Sequence, residues 1–182
     1  MSTQSAANRN VTVDRPKPIA VGPDQKQLLR IYLRDHEAAA AGGLQLSRRC
    51  WSANHRTPYE ADLQRLTESI RADRDDLRTI CKQCGVEFSR IRRAMAFAGA
   101  TLGRLKLNGR VFAYSPLSRV VELEALSAGV TSKLRLWESL LQVAAVDERL
   151  NNDELARHAT DAHDQLNVLR RLHDLAADEA FT

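Results

Sequence analysis

His36 and Asp73 stand where the apolar rhythm of two successive helical segments asks for core residues. Burying an ionisable group is costly unless it is paired, so two such groups at matching positions call for a shared explanation. An imidazole facing a carboxylate is the start of a metal site or of a proton-transfer couple. It equally suits a buried hydrogen bond that fixes helix register, with Asp73 bonded to His36 or to a neighbouring arginine. Glu124, on the same side of its segment as Leu117, Val121 and Ala128, is the third metal candidate. It lies only about 15 Å into the bundle against about 27 Å for His36, so a tilt or an overhang has to close the gap. One histidine and two carboxylates admit a single weakly held metal ion and no more.

A second constellation is basic. Arg104, Lys106, Arg110 and Arg119 surround Ser115 and Pro116, which read as the cap and first residue of a helix. Free amides and the positive dipole end of a helix favour an anion there, with Tyr114 and Asn108 as further hydrogen-bonding groups. A phosphate, a nucleic acid or an acidic peptide fits that chemistry. The competing expectation is an internal clamp in which at least one of these cations pairs with an acidic side chain of the bundle. Cys81 and Cys84 form a C-x-x-C, but at the C-terminal end of a helix, where the dipole opposes thiolate formation. Cys50 falls at the opposite end of the same hairpin, so reduced thiols are expected.

The elements that position these residues follow from spacing and punctuation. A first helix over 24–50 carries Leu29, Leu33, His36, Ala40, Gly43 and Ser47 on one stripe. Thr57, Pro58 and Glu60 supply an N-cap, a first-turn proline and the acidic partner of a capping box. The second helix then places Leu63, Leu66, Ile70, Asp73, Leu77, Ile80 and Cys84 inward and stops at Gly85. Asn54 is the pivot of this hairpin, and His36 and Asp73 lie nearly equal distances before and after it, so contact between them is expected.

A third helical segment over 87–106 repeats the rhythm and ends at the Asn108–Gly109 turn. The helix opening at Ser115 buries Val120, Leu123, Val130, Leu134, Trp137 and Leu141. A last helix from Asn152 carries Leu155, Ala159, Ala162, Leu166, Leu169 and Ala176 inward. No run shows the β-branched alternation of a strand. The fold class is all-α, a four-helix bundle with an additional crossover helix.

Composition agrees. Of 182 residues, 43% are hydrophobic and 27% charged, as in globular chains, and only 5% are aromatic. No stretch reads as a membrane span. The polar, proline-containing residues 1–23 lack the apolar centre of a secretory signal and read as a disordered arm of a cytoplasmic protein, before a bundle over 24–180. The net charge of +4 is too small to imply nucleic acid by itself. Its split, basic around 90–110 and acidic after 147, suits an acidic partner or helices that face one another.

The helix plan resembles the ferritin-like bundles, in which two hairpins project carboxylates and histidines into a common centre. The stretches GRLKLNGRVFAYSPLSRVVELEALSAGVTSKLRLW at 103–137 and YLRDHEAAAAG at 32–42 are similar to a group of uncharacterised bacterial ferritin-like proteins of similar size. That resemblance implies a ferritin-like fold and carries no activity with it. Dinuclear iron sites of the wider class need a carboxylate from each of two helices and an E-x-x-H from each of the others. No E-x-x-H occurs here.

Three functions follow as expectations. The first is a non-catalytic binding or assembly protein, with self-association through helix faces such as the small-residue run at 38–43. The second is a metal-binding or iron-handling oxidoreductase using His36, Asp73 and Glu124. The third is an anion or nucleic-acid binding module using Arg104, Lys106, Arg110 and Arg119.

Overall fold

A computed structural model describes residues 22–87 and 114–182. They form four helices: α1 (Pro23–Ala53), α2 (Glu60–Gln83), α3 (Pro116–Ala144) and α4 (Asn152–Phe181). No strand occurs among the described residues, and none of the helices is long and apolar enough to cross a membrane. The expected arm before Gly22, the third helical segment from residue 88 onward and the Asn108–Gly109 turn lie outside the described residues.

Local chemistry sets most of the helix ends. Asn151 caps α4 by accepting from the amides of Asp153 and Glu154, and Ser115 caps α3 by accepting from Ser118, with Pro116 opening the helix. Gly85 at φ 74° ends α2 as the sequence predicts, and Val86 N–H returns to Cys81 O at 2.9 Å. The start of α2 differs from the expectation. Thr57 turns its hydroxyl back to Asn54 O at 2.7 Å, and Glu60 reaches the Arg56 amide at 2.8 Å and His55 at 2.6 Å. Arg56 sits at φ 60°, so the capping contact moves into that turn and the helix begins two residues later than Pro58 implies.

The stripe expected on α2 is buried at every position. On α1 the buried face is rotated: Leu33, Glu37, Ala41, Leu44, Ser47 and Cys50 point inward, while His36 is half-buried at the edge. Glu37 can take a core position because Arg74 of α2 meets its carboxylate at 2.8 Å, with Arg78 at 3.8 Å. Leu123, Leu134, Trp137 and Leu140 of α3 and Leu155, Ala162 and Leu169 of α4 complete the core.

Contacts fix the directions. Arg30 bonds Cys84 O, Arg49 meets Glu122, Tyr32 meets Ser139, and Arg171 meets Asp62. The pairs α1–α2, α3–α4, α1–α3 and α2–α4 are therefore all antiparallel, and α2 and α3 run parallel across the diagonal. The chain leaves α2 beside Arg30 and enters α3 beside Asn54, at opposite ends of α1. Those ends are roughly 36 Å apart at the helical rise of about 1.5 Å per residue.

Candidate functional site

Asp73 lies at the middle of the bundle, and its partners come from α3 and α4. Lys133 donates to Oδ2, and Gln165 Nε2 donates to the same oxygen at 2.8 Å and to Ser69 Oγ at 2.8 Å. Lys133 also donates to Gln165 Oε1 at 2.5 Å. Burial opposes ionisation of Asp73, but His158, Lys133 and Gln165 hold its carboxyl below the ordinary value of 3.8. Burial also pulls the Lys133 ammonium below its ordinary value, against the attraction of Asp73. The cost of burying each charge is met by the other and by a neutral amide bonded to both.

His36 takes no part in this network. The expected contact between His36 and Asp73 is replaced by an edge-on packing of the imidazole against Tyr32, with ring centroids 4.4 Å apart. Burial lowers the His36 pKa, and neighbouring Asp35 acts the other way. The reason is the rotation of α1, which gives the inward position to Glu37. His36 and Asp73 still line one cavity, of about 100 Å³, between α1, α2 and α3. Glu124 is exposed on the other side of α3 and meets His173 of α4 at 3.3 Å. The candidate metal residues His36, Asp73 and Glu124 thus do not converge.

A different histidine faces the carboxylates. His158, two turns into α4 from its cap, is 2% exposed, and neither ring nitrogen has a partner within hydrogen-bond distance. Its ring stacks on Trp137 of α3, with centroids 4.6 Å apart at 21°. Nδ1 lies 3.7 Å from Asp73 Oδ1. Nε2 lies 3.6 Å from Asp76 Oδ2 and 3.9 Å from Glu154 Oε1. One donor atom each from Asp76, Glu154 and His158 lies within 4.8 Å of the other two, a spacing that a cation can draw together. The sequence signal for this group is E-x-x-x-H at 154–158, which puts two donors on one face of α4 one turn apart.

Of the basic constellation, Arg119 is described, and Arg104, Lys106 and Arg110 lie outside the described residues. Arg119 turns inward. Its Nε donates to Asn54 Oδ1 at 2.7 Å, its Nη1 pairs with Glu179 at the end of α4, and its guanidinium lies 4.3 Å above the Tyr59 ring. Arg119 therefore acts as an internal clamp. Beside it, Glu122 is buried, meeting Arg49 at 2.7 Å and accepting from the Tyr114 hydroxyl at 3.2 Å.

The three cysteines are free and buried. Burial and nearby Glu122 push the Cys50 thiol up to about 12, and burial and Glu37 push Cys81 up to about 12.

The chain matches no family model, no curated protein and no solved structure. What the residues can do therefore rests on their chemistry. The bundle centre offers a neutralised acid–base network, α4 offers an imidazole facing two half-exposed carboxylates, and the α1–α3 surface offers a small apolar groove. In that groove Gly43 and Gly129 fall opposite each other, and a Cβ on either meets nothing within 4 Å.

Proposed function

We propose that this chain is a cytoplasmic, ferritin-like bundle of the non-catalytic kind, acting by binding or assembly. The order of its helices, two antiparallel hairpins with α2 and α3 parallel across the diagonal, supports the ferritin-like plan. The observation that carries the non-catalytic reading is the state of the buried carboxylates. Asp73 is met by Lys133, Glu37 by Arg74 and Glu122 by Arg49. A dinuclear iron centre needs several carboxylates free to bind cations at the bundle middle, and here a lysine ammonium holds that place.

The groove between α1 and α3 is the surface best suited to self-association. Ala39, Ala40, Gly43, Ala125 and Gly129 line it over a floor of Ile70 and Leu77, and small residues of this kind allow a second helix to approach closely. Two measurements test the reading. Ferrous iron and oxygen should give no oxidation beyond the uncatalysed background; fast turnover with two irons per chain refutes it. Light scattering should show a self-associated species that Gly129→Leu reduces in size while the melting temperature is kept, because the new side chain enters open space. A monomer in the parent chain refutes the assembly half.

A further inference from the structure

His158 presents an unusual arrangement: a buried ring with both nitrogens unbonded, in the middle of three carboxylates. Leaving a buried polar atom without a partner costs about 1–3 kcal/mol, and such an atom calls for a reason. An imidazolium held by ion pairing alone would draw an oxygen to about 2.7–2.9 Å. Here the nearest oxygens stay at 3.6 Å from Nε2 and 3.7 Å from Nδ1. A metal ion bound at about 2.0–2.2 Å by each donor of a tetrahedral set keeps those donors roughly 3.3–3.6 Å apart, which matches the spacing of Nε2 from Asp76.

We propose that His158 Nε2, Asp76 and Glu154 bind one divalent metal ion of the zinc class, with water completing its coordination. One imidazole and two carboxylates form a set that suits such ions, and their charge balances a dication. Among the described residues no lysine or arginine pairs with Asp76 or Glu154, so their charge is not already spent. Both carboxylates are 43% exposed, which gives the ion a way in from solvent and room for the water. The ring itself is fixed. Trp137 backs its face, and Asp73 lies on the Nδ1 side, where a carboxylate orients a metal-bound histidine. Lys133 and Gln165 hold Asp73 in that position. The ion ties α2 to α4, two helices that make little close backbone contact.

This inference goes beyond the non-catalytic reading and does not depend on it. Full-length protein stripped with a chelator is titrated with Zn²⁺ against a chromophoric competitor, and with Co²⁺ for its visible bands. The expected result is one ion per chain, weakened at least about tenfold by Glu154→Gln and by Asp76→Asn, with circular dichroism unchanged. Both substitutions fall on half-exposed side chains, so they test the site without emptying the core. In a Trp51→Phe background, Co²⁺ should quench the remaining tryptophan, Trp137, because that ring stacks on the ligand. No saturable Zn²⁺ binding overturns the site, and so does binding that Glu154→Gln and Asp76→Asn leave intact. Either failure leaves the iron-oxidation result, and the reading it tests, unchanged.

Discussion

Lys133 of α3 donates to Asp73 of α2 across the diagonal of the bundle, and Gln165 of α4 bonds both partners. Three helices thus share one buried polar knot, whose geometry sets their mutual level. Breaking such a pair leaves the survivor's charge uncompensated. Lys133→Met should therefore lower stability by about 3 kcal/mol, read from urea denaturation. The double variant Lys133→Met/Asp73→Leu should recover much of that loss, since an apolar pair of similar volume needs no partner. Equal or greater instability in the double variant would show that the knot stabilises by more than mutual neutralisation.

At one end of the bundle, Arg119 holds Asn54 at the α1 terminus, Glu179 near the α4 terminus and the Tyr59 ring. Its side chain is only 12% exposed, so the charge is shielded and its stem packs. Arg119→Ala should cost about 2 kcal/mol, and amide exchange should rise first in the last turns of α1 and α4. Arg119→Lys keeps the charge and loses the stacked plane, so it should fall between the two. An unchanged melting temperature in Arg119→Ala would refute the clamp.

The helices were legible in the sequence because spacing and caps are local. Gly85, Ser115 and the whole α2 stripe act as their types predict. The rotation of α1 was not legible. Periodicity favours His36 over Glu37 at the inward position, and only the two arginines of the next helix, Arg74 and Arg78, make a buried glutamate tolerable. The same limit hid the candidate metal group. Asp73 is legible from its place on a stripe, but its partners come from helices that are distant in sequence. His158 falls beside Ala159 of the last helix's expected stripe and not on it, and its burial comes from Trp137 of another helix.

The thiols offer a direct check on burial. With Cys50 and Cys81 each pushed up to about 12, the thiolate fraction at pH 8 is about one part in 10⁴. The native chain should react with a disulfide reagent far more slowly than a free thiol. All three cysteines should titrate at once in denaturant. Rapid labelling of either residue in the folded protein would mean that its own end of the hairpin opens readily.

Glu122 gives stability a pH dependence of known sign. Burial raises its carboxyl above the ordinary value of 4.5, while Arg49 and the Tyr114 hydroxyl pull it down without cancelling the effect. A raised native value means that the folded state binds this proton more tightly than the unfolded one. Its contribution is then fully present below the unfolded value and declines as pH rises through the folded value. Glu122→Gln keeps an acceptor for Tyr114 and removes the titration. Compared at pH 4.5 and at pH 7, the difference in unfolding free energy between parent and variant isolates this one group, because the other carboxylates are common to both proteins. The parent's standing relative to Glu122→Gln should worsen from the lower pH to the higher. A parent that gains on the variant over that interval would show that the Arg49 contact outweighs burial and holds Glu122 below its ordinary value.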